Sequence, residues 1–336
     1  VNFFILIFEG QTQMKSIVGF FGGFCGAALL WVLLVIGQLG NATPDSQWVR
    51  QSYAYKRALS RKIAAPKLVL VGGSAALFSI NSIALEDQYH RPVINLGVNA
   101  GISLPYIIDQ AKAVLTPGDT ALLPLEYPLY NYHYTINPVM VDFYLSEPGV
   151  LAKQAWPLQL KLLFAVTPKR VIQGYRGIPR GFTVQGLYGP HHMNAHGDQT
   201  HSEVAKQSES QKAIVNSLTP RYYGKNFSKN NEAWNLLTSF QHWADSQSIC
   251  LIFIPPSFLF QEAYLMDPVE NHFYTTLPDL ARKKGLTYLG SPLDYMFSPD
   301  YYFDTPYHLT AEAREIYTTL IIELIGPIIN KGCGKK

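Results

Sequence analysis

From Ile17 to Gly40 the chain reads IVGFFGGFCGAALLWVLLVIGQLG, 24 residues without one charged side chain. In hydrocarbon every backbone N–H and C=O must be satisfied within the segment, so a run of this length has one stable form there, a helix that crosses the bilayer. We read residues 17–40 as a transmembrane anchor with everything downstream tethered to it. Met14–Lys15 stand before it like a start and a short basic n-region, which makes residues 1–16 an N-terminal extension. The competing reading is a cleaved signal peptide, because Gly40–Asn41–Ala42 supplies small residues at a cleavage point, but the run is longer than the usual h-region.

Charge gives a weaker signal. Lys15 lies on one side of the span, and Arg50, Lys56 and Arg57 follow on the other, which by the positive-inside rule keeps the C-terminal part in the cytoplasm. Long domains translocate largely regardless of such charges, so this count does not decide the side. The net charge of +3 over 336 residues carries no basic stripe, which argues against a nucleic-acid partner. Cys25, Cys250 and Cys333 lie in an apolar run, a strand-like run and the tail, and form no disulfide framework by spacing.

Residues 41–66 are polar and basic and read as a juxtamembrane stalk with a short helix over Ser52–Ile63, ending before Pro66. The main domain is expected over residues 67–330, with a solvated tail at 331–336. Apolar runs without alternation recur at Leu68–Val71, Val93–Leu96, Ala121–Leu125 and Cys250–Ile254, with a weaker one at Thr287–Leu289. Such runs suit strands buried on both faces. Helical patterns lie between them, at Ala75–Tyr89, Leu104–Leu115, Asn230–Ser246, His272–Lys284 and Ala311–Ile329. The alternation predicts an α/β fold with a central parallel sheet. Residues of about 131–228, rich in Pro, Gly and aromatics, break the pattern and read as an insertion or cap that shapes a site.

Within LVLVGGSAALFSI, the pair Gly72–Gly73 allows a tight turn after the first strand, and Ser74 then opens a helix. That is the usual centre of a ligand site in an open parallel sheet. Ser74 suits a nucleophile beside helix N–H groups, or simply a helix cap. A phosphate loop fits poorly, because Ala75, Ala76 and Leu77 stand where the nucleotide motifs need further glycines or Lys and Ser. Near the other end, YYFDTPYHLTAEAREIY sets Asp304 and His308 before the last helix. A carboxylate that orients a histidine is the arrangement of a general base, and the alternative is an ordinary surface loop.

The order of these blocks, a serine after the first strand, NLGVNAG at residues 95–101 after the second, and Asp and His before the final helix, resembles the SGNH hydrolase superfamily. The resemblance covers residues 67–330 apart from the insertion, and implies a flavodoxin-like three-layer α/β/α sandwich. It implies Ser74 as nucleophile, His308 as general base, Asp304 as its orienting acid and the Gly97 N–H as oxyanion donor. Two departures stand out. Three residues separate Asp304 from His308 where the family has two, and LPLEYPLYN puts Glu126 and Tyr127 where the family's oxyanion asparagine is sought, with Asn99 or Asn131 as substitutes.

The single span, the Gly-Gly-Ser form of the first block and the Tyr-His-Leu ending are similar to membrane-anchored envelope proteins that work beside membrane-bound O-acyltransferases, in alginate O-acetylation or teichoic-acid D-alanylation. That implies an extracytoplasmic domain handling acyl groups on a polysaccharide, with an acylated carbohydrate or acyl donor as substrate, or a non-catalytic binding and assembly protein of such a complex. No cofactor is expected. His191, His192, His196, His201 and Asp198 are close in sequence, but their spacing fits no standard metal set, and we read them as a polar loop. Tyr130, Tyr132, Tyr134, Tyr301, Tyr302 and Tyr307 surround the site blocks, with core packing as their default role.

Overall fold

A computed structural model describes residues 2–131 and 136–331, with side chains described from Gly19 onward. Tyr132, Tyr134 and, beyond Lys331, the expected tail lie outside the described residues. Helices run in the order α1 Asn2–Gly37, α2 Gln47–Ser60, α3 Ser74–Ser79, α4 Ser82–Tyr89, α5 Leu104–Lys112, α6 Tyr127–Tyr130, α7 Pro138–Ser146 and α8 Pro148–Leu151. They continue with α9 Trp156–Phe164, α10 Pro168–Arg176, α11 Glu209–Asn216, α12 Glu232–Ser246, α13 Ala263–Met266, α14 Pro268–Lys283 and α15 Ala311–Lys331. Strands β1 Leu68–Leu70, β2 Val93–Asn95, β3 Thr120–Leu123 and β4 Cys250–Phe253 form one parallel sheet in the order β2-β1-β3-β4. Gly19–Gly37 of α1 is long and apolar enough to cross a membrane.

The chain divides into two compact units. One is helical and comprises Val1–Asp45 and Val141–Phe182; the other is the α/β unit, Ser46–Met140 and Thr183–Lys336. The region expected as one insertion is therefore shared: 141–182 goes with α1, while 183–228 belongs to the α/β unit. Helix α2 likewise belongs to the α/β unit, where a stalk was expected. It packs against β2 through a face of Val49, Tyr53 and Lys56. A lysine on the buried face hides this packing from a reading by polarity.

The sheet forms because its strands are short apolar runs that can bury both faces. In register, Val69 lies beside Ile94 and Ala121, and Ala121 beside Leu251. These residues join one apolar cluster with Ile107 and Ile108 of α5, Leu237 and Phe240 of α12, and Leu277 of α14. The alternate set, Leu70, Val93, Leu122 and Ile252, joins a second cluster with Leu85 of α4 and Tyr317, Ile321 and Ile325 of α15. Each fully buried large side chain of this kind contributes roughly 1.5–3 kcal/mol.

Two expectations are refined. The pattern at Ala75–Tyr89 is two helices, because the Asn81 side chain accepts from the N–H groups of Ile83 (3.0 Å) and Ala84 (3.2 Å) and starts α4 afresh after an extended Ile80. Thr287–Leu289 adds only one bridge pair to the sheet, Tyr288 beside Phe253 in parallel. The order β2-β1-β3 puts the direction reversal of the chain at β1, so the loops after β1, β2 and β3 meet at the carboxyl edge where such sheets bind ligands.

Candidate active site

Those three loops interlock. Gly73 is the N-cap of α3, so Ser74 is the first helical residue. A Cβ on Gly73 would run into the Ala100 backbone and Glu126 Oε1, and one on Gly97 would stand 2.6 Å from the Gly73 carbonyl oxygen and 2.7 Å from the Leu77 nitrogen. The glycines are there because the post-β1 loop touches both of its neighbours through backbone.

Glu126, 2% exposed, follows β3. Its Oε1 accepts from the Ala75 N–H (2.8 Å) and its Oε2 from the Gly73 N–H (3.1 Å), bracketing Ser74. Burial pushes this carboxyl above its usual range, opposed by the donated N–H groups and the charge of His308. The Ser74 N–H between the two has no acceptor among the described residues, and neither does the Ser74 hydroxyl.

The histidine comes from the loop before α15. Its Nδ1 lies 2.7 Å from Asp304 Oδ1. The extra intervening residue is absorbed by a turn: the His308 N–H reaches the Thr305 carbonyl, and Phe303 donates back to the His308 carbonyl at 2.8 Å. Asp304 is therefore in reach of His308 in spite of the spacing. Tyr188 donates to the other carboxylate oxygen, Oδ2, at 2.7 Å. Burial alone would raise the Asp304 carboxyl, but the hydrogen bonds and charge of His308 and the Tyr188 hydroxyl outweigh it and hold it below its usual value. An ionised Asp304 assigns the proton to Nδ1 and leaves Nε2 with a lone pair. Phe78, one turn after Ser74, stacks flat on the imidazole at 4.0 Å and 5°.

Ser74, Asn99, Glu126 and His308 line one cavity of about 370 Å³, together with Trp48, Asn137, Tyr188, Arg221, Thr305 and Tyr307. Asp304 stands behind His308. Two expected residues are elsewhere. The Gly97 N–H already donates to Asn95 Oδ1 at 2.8 Å, while its carbonyl accepts from the buried Lys56 ammonium. Tyr127 is fully buried among Phe258, Phe273 and Tyr274, so it shapes the core rather than the cavity. Of the tyrosines that surround the site blocks, Tyr130, Tyr302 and Tyr307 are also buried. Asn99 Oδ1 accepts from the Gly101 N–H at 2.7 Å, which leaves its Nδ2 as the group at the cavity wall with donors to spare. Asn131 instead donates to the Tyr223 carbonyl.

The histidine-rich loop is tied down as structure. Asp198 is fully buried and accepts from the Ser82 N–H (2.9 Å), Asn95 Nδ2 (2.9 Å) and Asn194 Nδ2 (3.1 Å). His196 Nε2 meets Glu86, and His192 stacks on His201 at 4.1 Å. Sequence reasoning missed Phe78, Tyr188 and Lys56. Only Phe78 had a local signal, its helical i+4 spacing from Ser74; Tyr188 reaches the cavity from a distant, unpatterned segment, and Lys56 lines no part of it but donates to the Gly97 carbonyl. No family model matches the chain, and no curated protein matches it in sequence.

Proposed function

We propose that the chain is a membrane-anchored SGNH-type acyl-ester hydrolase or O-acyltransferase acting on a cell-envelope or extracellular polysaccharide through an acyl-serine intermediate. The observation that carries this reading is the Asp304–His308 pair at 2.7 Å opening into the same cavity as Ser74. The parallel sheet with its two apolar clusters supports the α/β/α sandwich of that superfamily.

The chemistry follows from the groups in place. Ser74 Oγ attacks the acyl carbonyl carbon and its proton passes to His308 Nε2, with Asp304 holding the imidazolium. The Ser74 N–H and Asn99 Nδ2 are the donors for the carbonyl oxygen as it becomes negative. His308 then returns the proton to the departing alcohol, leaving an acyl-serine. Water, or a sugar hydroxyl deprotonated by His308, completes hydrolysis or transfer. Trp48 and Tyr188, 5.3 Å apart at the cavity, offer aromatic faces to a sugar ring.

The proposal sets the α/β unit outside the cytoplasm on the resemblance to envelope proteins, against the positive-inside reading of the flanking residues. A membrane-bound O-acyltransferase as donor partner rests on the resemblance alone.

Hydrolysis of p-nitrophenyl acetate by the purified full chain tests the reading. Turnover by the wild type that is lost in Ser74→Ala and His308→Ala supports it, and equal rates in all three proteins reject it.

One observation favours a second reading, a catalytically degenerate binding or assembly protein of a polysaccharide complex. Glu126 places a carboxylate against the two N–H groups that flank Ser74, where a developing oxyanion needs donors. That reading expects polymer modification in cells to survive Ser74→Ala and to be lost when residues 1–45 are removed.

A further inference from the structure

Helices α9 and α10 of the helical unit do not bury their apolar residues as a water-soluble pair would. Trp156, Leu160 and Phe164, at i, i+4 and i+8 on α9, form one stripe that is 71%, 43% and 86% exposed. Ile172 and Tyr175 of α10 are about half exposed, and Ile178 follows at 41%. The opposite positions, Leu158, Leu162 and Val171, are buried within the unit, so the exposed stripe is a second apolar face rather than an unfolded first one. An exposed apolar stripe such as that of α9, with further exposed apolar residues on α10, marks a surface with a partner.

The unit itself identifies the partner. α10 packs on the end of the span: Tyr175 Oη donates to the Leu34 carbonyl at 3.1 Å, and Arg170 Nη2 donates to the Asn41 carbonyl at 2.9 Å while its Nε pairs with the buried Asp142. The exposed stripe therefore belongs to the same compact body as the last turns of Gly19–Gly37. Residues 141–182 carry six basic side chains against two acidic ones. Asp142 is consumed by the buried pair, whereas Lys153, Lys161, Lys169, Arg176 and Arg180 are exposed.

We propose that α9 and α10 form an interfacial foot that lies on the bilayer beside the span, with Trp156, Leu160 and Phe164 in the headgroup–acyl boundary and the lysines and arginines on anionic lipid headgroups. Aromatic and aliphatic side chains with flanking cations are the composition of helices that lie in this zone. The proposal rests on α1 being inserted, and it does not depend on the chemistry at Ser74.

The test uses the full chain in nanodiscs of phosphatidylcholine, with or without phosphatidylglycerol, and a polarity-sensitive fluorescent amino acid in place of Phe164. The control is the same protein in discs without nitroxide lipid. Blue-shifted emission at 164, quenched at least twofold relative to that control by lipids with a nitroxide near the headgroup end of the acyl chain, is expected. Stronger quenching in the anionic discs that disappears in Lys153→Gln/Lys161→Gln/Lys169→Gln supports the headgroup contact; quenching indifferent to lipid charge and to these substitutions overturns that part. Aqueous emission at 164 in protein that co-purifies with discs overturns the foot and points to a protein partner on this face. Failure to co-purify at all identifies the span as the faulty premise.

Discussion

In the α/β unit Phe78, Tyr127, Tyr130 and Trp234 are buried and the cavity wall mixes polar groups with Trp48, Leu129 and Tyr188; in the helical unit Trp156 and Phe164 stand out from the surface. The first pattern is what water as solvent selects, since large aromatics contribute most when removed from it. The second is the pattern that the proposed lipid contact would select. The two units also place their buried charges differently. Around the crevice the Asp304 carboxylate is held by His308 and the Tyr188 hydroxyl and Glu126 by backbone N–H groups, whereas Arg170 and Asp142 in the helical unit are paired with each other and support packing.

That contrast can be broken at several points. On the proposed reading His308→Ala should lower any esterase turnover by about 10³-fold or more, and it should also lower the thermal midpoint, because His308 is buried, stacked on Phe78 and paired with Asp304. If turnover survives, the crevice is not a catalytic one. Arg170→Met should instead destabilise the helical unit by about 3–5 kcal/mol, by leaving Asp142 buried without its cation, and Arg170→Met/Asp142→Leu should recover much of the loss. Limited proteolysis of residues 141–182 in detergent reads both. An equal loss in the single and double variants would mean that the pair orders the unit in some other way.

Smaller effects sharpen the account of the crevice. Gly97→Ala should cost about 1–3 kcal/mol, since its Cβ must displace backbone of the post-β1 loop, and the thermal midpoint would show it. Burial pushes the Lys56 ammonium from 10.5 down to about 7, with Asp198 opposing the shift. Between those values the unfolded chain holds a proton that the folded chain has released. Stability should therefore rise with pH above 7, by about 1.4 kcal/mol per pH unit from this group. Denaturation of wild type and Lys56→Met from pH 7 to 9 measures the difference, and parallel pH profiles would contradict the burial of this lysine.

Much of this was legible in sequence because it is local. Apolar runs such as Leu68–Val71 and Cys250–Ile254 mark doubly buried strands, Gly72–Gly73 marks a tight turn, and Pro306 keeps Asp304 and His308 off the last helix. The expected Asp–His contact was in doubt only because spacing counts residues and not the turn they make. What stayed hidden depends on chain segments meeting in space. Lys56 looks like a solvated charge until α2 packs on the sheet. Gly97 looks like a free donor until Asn95 takes its N–H. The stretch 131–228 gives no compositional sign that 141–182 goes with the span while the rest joins the sheet domain.

The central claim is that Ser74 is a nucleophile activated by His308. Labelling of the purified full chain with a fluorophosphonate, with the adduct mapped by mass spectrometry, tests it most directly. The account predicts a single phosphonylated residue, Ser74, with labelling abolished by Ser74→Ala and strongly slowed by His308→Ala. Labelling that persists at the same rate in Ser74→Ala, or an adduct mapped to another residue, would contradict it.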